Sequence, residues 1–298
     1  MNERERKRPD FPAGDWLETL LDACLAEDVG DGDVTTDVAV ARDAVAAGEI
    51  AARTDGVVAG LPLLERLYAR LSPEVRVDLV AADGDRLVAG QPAARLHGPA
   101  APILTGERAA LNFLQHLSGI ATLTARYVDA VAGTGCRILD TRKTLPGYRA
   151  LAKYAVRCGG GHNHRLGLYD RILLKDNHWA SRDGSLADLV ARGRKRHPDL
   201  AIEVEVDGLE QLETVLPLHV EWILLDNFTP ERTREAVGLR DAVETGAWRT
   251  RLESSGNLDL TTVRDYAEAG VDACSVGRLT HSVPALDLGL DFKIPGAR

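Results

Sequence analysis

Between residues 137 and 277 short apolar runs alternate with stretches of helical periodicity, and this alternation narrows the possible folds more than any other feature. The runs are RILDT (137–141), RILLKD (171–176), AIEVEVD (201–207), EWILLDN (221–227), TRLESS (250–255) and ACSVG (273–277). Short buried strands separated by helices imply a parallel sheet with the helices outside it. Each apolar run also ends on polar or small residues: Asp140, Lys175, Glu205, Asp226, Glu253 and the pair Ser275/Gly277. In a parallel barrel such positions meet at the C-terminal rim, where active sites are built. An open doubly wound sheet would collect them only near one switch point, so six polar strand ends favour a ring.

The first half reads differently. DWLETLLDACLAED (15–28) places Trp16, Leu20, Leu21 and Cys24 at helical spacing, with Asp15 positioned as its cap. Apolar runs near 45–59 and 75–98, with turn signals and the helical LPLLERLYARL between them, predict a small mixed α/β domain. GERAALNFLQHLSGIATLTARYVDAVAG (106–133) then predicts two consecutive helices, interrupted near Ser118 and Gly119. A chain with 45% hydrophobic and 27% charged residues is a folded globular protein, and its net charge of -9 speaks against a nucleic-acid partner. Four scattered cysteines without a CxxC pair read as reduced thiols of a cytoplasmic protein. MNERERKRPD reads as a frayed tail, and no apolar run is long enough for a signal peptide or a membrane span.

Segment 140–178 is a cationic island in this acidic chain: Arg142, Lys143, His162, His164, Arg165 and Lys175 are interleaved with Gly147, Gly159, Gly160 and Gly161. A guanidinium fork suits a planar carboxylate, and a lysine supplies a point charge for phosphate. Any one of these residues alone would be a solvated loop charge, and the HxH pair lacks cysteines or a carboxylate at zinc-ligand spacing. Glu205 and Asp226 end two otherwise apolar strands. They either pair with an inward cation or hold Mg²⁺ and sugar hydroxyls. Ser255, Gly256 and Asn257 precede a helical pattern, which suits either a phosphate or a plain helix cap.

Seven blocks in order carry a resemblance over almost the whole chain: EDVGDGDVTTD, GERAALNFLQHLSGIAT, the 140–178 segment, EVEVDGLEQL, ILLDNF, LESSGN and SVGRLTHSVPALDLGLD. The sequence resembles the quinolinate phosphoribosyltransferase family, the carboxylating nicotinate-nucleotide pyrophosphorylases. The resemblance implies a type II phosphoribosyltransferase: an N-terminal α/β sandwich over 1–118, an incomplete parallel α/β barrel over 119–278, and a tail, 279–298, that packs back on the first domain. It implies phosphoribosyl transfer from phosphoribosyl pyrophosphate to quinolinate with decarboxylation, giving nicotinate mononucleotide for NAD biosynthesis. It further implies Mg²⁺ as cofactor and a homodimer, or an assembly of dimers, with shared active sites.

Matched residue by residue, Arg142, His164 and Arg165 hold the quinolinate carboxylates, and Arg108 reaches them from the other subunit. Lys143 and Lys175 meet the pyrophosphate. Glu205 and Asp226 bind ribose hydroxyls and Mg²⁺, and Ser255, Gly256 and Gly277 surround the 5′-phosphate. Two positions depart from the family pattern: Asn257 stands where glycine is frequent, and Arg278 where a small or apolar residue is common. One rival reading is a related pyridine-base phosphoribosyltransferase or molybdenum-locus paralogue, against which the group of Arg108, Arg142, His164 and Arg165 argues. Another is a non-catalytic nucleotide-binding protein, against which the intact Lys143, Lys175, Glu205 and Asp226 argue.

Overall fold

The structure is a computed structural model that describes residues 8–175, 178, 184–243, 246 and 248–294. Residues 1–7 of the expected frayed tail, Asp176 and Asn177 of the cationic segment, and the last four residues of the C-terminal tail lie outside the described residues. In chain order the strands are β1 (Val45–Ala52), β2 (Gly56–Val57), β3 (Arg76–Leu79), β4 (Arg86–Leu87), β5 (Pro92–Pro99), β6 (Arg137–Leu139), β7 (Ile172–Leu174), β8 (Ile202–Val206), β9 (Trp222–Asp226), β10 (Arg251–Ser255), β11 (Ala273–Ser275) and β12 (Leu288–Lys293). The helices are α1 (Asp15–Val29), α2 (Val34–Ala39), α3 (Pro62–Leu71), α4 (Ala100–Ala130), α5 (Arg149–Cys158), α6 (Leu186–Arg196), α7 (Leu209–Val215), α8 (Pro230–Val243), α9 (Val263–Glu268) and α10 (Arg278–His281). Two compact units divide the chain: Met1–Ala125 with Ala150–Gly160 and Ser282–Arg298, and Arg126–Arg149 with Gly161–His281. The first unit therefore runs past residue 118 and takes in most of α5.

In the first unit an antiparallel sheet has the order β12-β1-β5-β3. The C-terminal β12 lies beside β1, with Leu290 opposite Ile50. Pro62 opens α3, where its fixed φ is compatible with a first helical turn, and Leu63, Leu64, Leu67 and Tyr68 form the buried face. Buried Asp83 accepts the backbone N–H groups of Gly60 and Leu61, at 2.9 and 3.0 Å, and the Tyr154 hydroxyl at 2.6 Å. A carboxylate thus sits where the helix presents unpaired donors.

Two local expectations are corrected here. Residues 100–130 form one continuous helix of 31 residues, not two. Ser118 does not break it, because its hydroxyl is engaged sideways: it accepts from the Ala59 N–H at 3.0 Å. In α1 the buried residues are Leu17 and Leu21, while Gly14, not Asp15, is the N-cap. Of the expected face Leu21 is buried, while Trp16 is turned outward and Leu17 packs in its place.

The second unit is the parallel sheet, in the order β6-β11-β10-β9-β8-β7. β8, IEVEV, is buried at four of its five positions, as a strand covered on both faces must be. A single parallel bridge, Leu139 to His162, adds an extended segment at the free edge of β6. Among the described residues no ladder joins β6 to β7, so the barrel is incomplete. Its N-terminal end is plugged by Trp222, with the Arg171 and Arg251 guanidinium groups 5.4 and 5.3 Å from the ring centroid. Outside, α6 opens on a Ser185/Asp188 capping box and closes on Arg194, Lys195 and Arg196, which complement the helix dipole.

Candidate active site at the barrel rim

Strand geometry carries most of the expected residues to one rim. Lys175 follows β7 directly, Asp226 ends β9, Ser255 ends β10 and Ser275 ends β11, while Glu205 is the fourth of five residues in β8. Parallel register sets Glu205 opposite Leu224 and Ser255 opposite Asp226. Lys175 and Glu205 form an ion pair across neighbouring strands. Glu253 is a correction: it is not a strand end but the middle of β10, and it is fully buried.

Lys143 leaves the rim from the loop after β6. Its carbonyl accepts the Thr280 hydroxyl at 2.7 Å and its N–H donates to Thr141 Oγ1 at 3.0 Å, so the backbone is held while the side chain is exposed. Gly277 lies alongside; a Cβ there would come within 3.0 Å of Lys143 Cδ. The loops after β9 and β10 interlock, because Asn227 N–H donates to the Ser255 carbonyl at 2.8 Å. Asn227, Gly256 and Asn257 all have left-handed backbones, with φ of 55°, 100° and 52°. A Cβ on Gly256 would lie 2.1 Å from Asn227 Oδ1, which requires glycine there. Asparagine tolerates the left-handed region better than most residues, and this accounts for Asn257 in place of glycine. Residues 255–257 do not open a helix as the sequence suggested: α9 starts only at Val263, after Asp259 has turned the chain by accepting the N–H groups of Thr261 and Thr262 at 2.8 and 3.0 Å. Arg278 is exposed at the start of α10.

The cationic loop is organised by Asp140, which is fully buried. It accepts the His164 N–H at 2.9 Å and the Asn163 side-chain amide at 2.5 Å. Arg142 and Arg165 are half-buried, and the buried Nε of Arg142 has no hydrogen-bond partner among the described residues. Burial, and then the Arg142 charge, push Arg165 below its ordinary pKa. Two like charges held together and partly desolvated favour a bound anion.

His164 is more deeply buried than Arg142 and Arg165. It is buried, and its ring faces the barrel interior: Nδ1 accepts the Arg165 N–H at 2.7 Å, and Nε2 lies 3.1 Å from Glu203 and 3.6 Å from Glu253. Glu203 also meets Arg171 at 3.2 Å. Glu203 was not expected among the site residues. The signal was present in IEVEV, since period-two alternation puts Glu203 and Glu205 on one face. Burial, then the neighbouring Glu203 charge, raise Glu253 well above the carboxylate range. Burial alone would raise Glu203 too, but His164 and Arg171 bring it below its ordinary value. Arg108 belongs to the first unit, on the exposed side of α4.

Comparison with known proteins places the chain in a family. The family described as quinolinate phosphoribosyl transferase, C-terminal domain, matches residues 120–291, and its N-terminal domain matches residues 33–118. The chain is similar to the nicotinate-nucleotide pyrophosphorylase [carboxylating] of Mycobacterium leprae, 48% identical over 283 residues that cover 93% of this chain and 98% of the relative. A probable enzyme of the same name from Bacillus subtilis is 40% identical, covering 93% and 94%. The crystal structure of NadC from Streptococcus pyogenes superposes with a TM-score of 0.88 at 38% identity, covering 96% of this chain and 99% of that one.

Proposed function

The chain belongs to the quinolinate phosphoribosyltransferase family, and on that footing we propose how the barrel rim performs the family's reaction. The protein is an enzyme with the type II phosphoribosyltransferase fold, transferring phosphoribosyl to quinolinate with decarboxylation to nicotinate mononucleotide in NAD biosynthesis. Arg142, His164 and Arg165 hold the quinolinate carboxylates. The observation that carries this assignment is their crowding, with Arg165 pushed down in pKa and the Arg142 Nε unpartnered. Lys143 and Lys175 stabilise the departing pyrophosphate, and Ser255, Gly256 and Gly277 enclose the 5′-phosphate.

The ring nitrogen of quinolinate is a weak nucleophile, so the ribosyl C1–pyrophosphate bond must loosen while the two reactants are held in contact. Glu205 and Asp226 face the positive charge that develops on the sugar. Once ribosylated, the ring nitrogen is cationic and accepts the electron pair left when the adjacent carboxylate departs as carbon dioxide. Glu205 and Asp226 also fit Mg²⁺: they are two half-buried carboxylates at the ends of adjacent strands, and Mg²⁺ binds one or two carboxylates together with water and substrate phosphates. When bound, the ion supplies positive charge for the leaving group.

The proposal extends to assembly and location. Arg108, exposed on α4, completes the site of a second subunit in a homodimer or an assembly of dimers. The functional division is 1–118 and 119–278, with the tail from 279 serving the first domain; the pairing of β12 with β1 supports the last part. Four free cysteines support a cytoplasmic setting, and no described helix is long and apolar enough to cross a membrane.

The deciding assay measures carbon dioxide release and nucleotide formation with quinolinate or nicotinate as acceptor. Turnover of quinolinate alone is expected, and equal use of nicotinate would falsify the dicarboxylate assignment. Excess chelator should abolish activity and Mg²⁺ restore it, with Glu205→Gln and Asp226→Asn needing more metal. Inactive Arg108→Ala and Lys143→Ala proteins, refolded together, should recover activity. Verified hybrid dimers without activity would remove Arg108 from the partner's site.

A further inference from the structure

Asn227 joins the strand end that carries Asp226 to the loop that carries Ser255 and Gly256, and its polar atoms are engaged on both sides. Its Nδ2 donates to Asp226 Oδ2 at 2.9 Å, and its backbone N–H donates to the Ser255 carbonyl at 2.8 Å. Its Oδ1 lies 3.5 Å from Asn257 Nδ2, the donor on the far side. The partners fix the orientation of the amide, because an ionised carboxylate only accepts and must face the NH₂ end. The side chain also fills the space beside Gly256, where an added Cβ would collide with Asn227 Oδ1 and Cγ. With φ at 55° the backbone is left-handed, which asparagine adopts at lower cost than most residues.

We propose that Asn227 is a positioning residue for the phosphoribosyl donor: it fixes the rotamer of the Asp226 carboxylate and holds it in register with loop 255–257, so that ribose hydroxyls and 5′-phosphate are gripped as one unit. This rests on the reading of Asp226 as a ribose ligand and of Ser255 and Gly256 as the phosphate loop. A half-buried aspartate with no fixed donor samples several rotamers, and that freedom is lost when a ligand binds. The Asn227 amide removes it beforehand. Glu205 is met by the cation of Lys175, whereas Asp226 is met by a neutral amide. A neutral donor orients the carboxylate without cancelling its charge, and the remaining lone pairs still accept ribose hydroxyls. Asn257 extends the same frame to the far side of the loop.

Ribose 5-phosphate carries both groups that Asn227 would bring into register, and pyrophosphate carries neither, so the test compares the two as inhibitors of the full chain with Mg²⁺ present. Asn227→Gly keeps the left-handed backbone and removes the side chain. It should raise the inhibition constant of ribose 5-phosphate and the KM for phosphoribosyl pyrophosphate about tenfold, as loss of a hydrogen bond to a charged group does. The inhibition constant of pyrophosphate and the KM for quinolinate should not change. Asn227→Asp keeps the shape but sets a second carboxylate beside Asp226, and the same two constants should rise at least as far. Asp226→Asn serves as the reference and should raise them too. If Asp226→Asn leaves ribose 5-phosphate inhibition unchanged, the reading of Asp226 fails and the proposal with it. If Asp226→Asn weakens that inhibition and the Asn227 variants do not, Asn227 does not position the carboxylate. A rise of all four constants alike in the Asn227 variants would make the residue a support of the fold only and overturn the proposal. Should Asn227→Gly not fold, Asn227→Asp decides by the same comparison.

Discussion

Glu203 and Glu205 stand two residues apart on one face of β8, yet they belong to two different regions of the barrel. The Glu205 side chain is 15% exposed and pairs with Lys175 at the rim, whereas Glu203 is wholly buried among His164, Arg171 and Glu253. The rim keeps its charges partly hydrated, where substrate can displace partners. The interior holds charges that cannot exchange with solvent and must be satisfied by one another. A single strand thus places one carboxylate at the rim and another in the interior, and depth along the barrel axis decides which partners each meets. The first unit offers a contrast: its buried Asp83 is also raised by desolvation, but three donors satisfy it.

The contrast is most exposed to failure at the barrel floor. Trp222→Ala should cost about 3–5 kcal/mol of stability in urea unfolding, because it removes a buried aromatic held between two arginines. A loss below about 1 kcal/mol would mean that the interior is not packed as described. At the rim the expectation reverses. Lys175→Ala should lower kcat by about 10²–10³-fold with little change in the urea midpoint. Full activity in both Lys175→Ala and Lys143→Ala would remove the lysines from the pyrophosphate site.

A smaller effect separates the two regions by pH. The folded pKa of Glu253 lies above that of the unfolded chain, about 4.3 for an ordinary glutamate. Its contribution to stability is therefore complete below that value and is lost as pH rises toward the folded pKa. Glu253→Gln has no proton to lose, so from pH 5 to 7, roughly, its stability should gain on wild type by up to about 1.4 kcal/mol per unit. Parallel stability–pH curves for the two proteins would show that Glu253 ionises freely. Smallest of all, Glu268→Ala should cost only about 0.3–0.5 kcal/mol, since its pair with Arg264 is an exposed i,i+4 contact on α9. A larger loss would show that the outer helices carry more of the barrel's stability than their solvated charges suggest.

The amino-acid sequence by itself determined the class of fold and most of the rim. Alternating apolar runs and helical stretches dictated parallel strands, and the polar or small residues closing these runs marked Asp140, Lys175, Glu205, Asp226 and Ser275. These features are local, written in strand period and strand end. Tertiary structure decided what local pattern does not encode. Whether a small polar pair such as Ser118–Gly119 breaks a helix depends on a partner distant in sequence, here Ala59. Which carboxylates a histidine in a cationic loop meets depends on which strands lie beneath it, and β8 and β10 bring Glu203 and Glu253 to His164 only through the fold. Asn257 departs from the glycine that the family resemblance suggests, and its left-handed backbone in the loop after β10 shows the constraint it meets. In each case the deciding energy comes from satisfying a buried polar group, and that depends on neighbours brought together by the fold and not by the order of the chain.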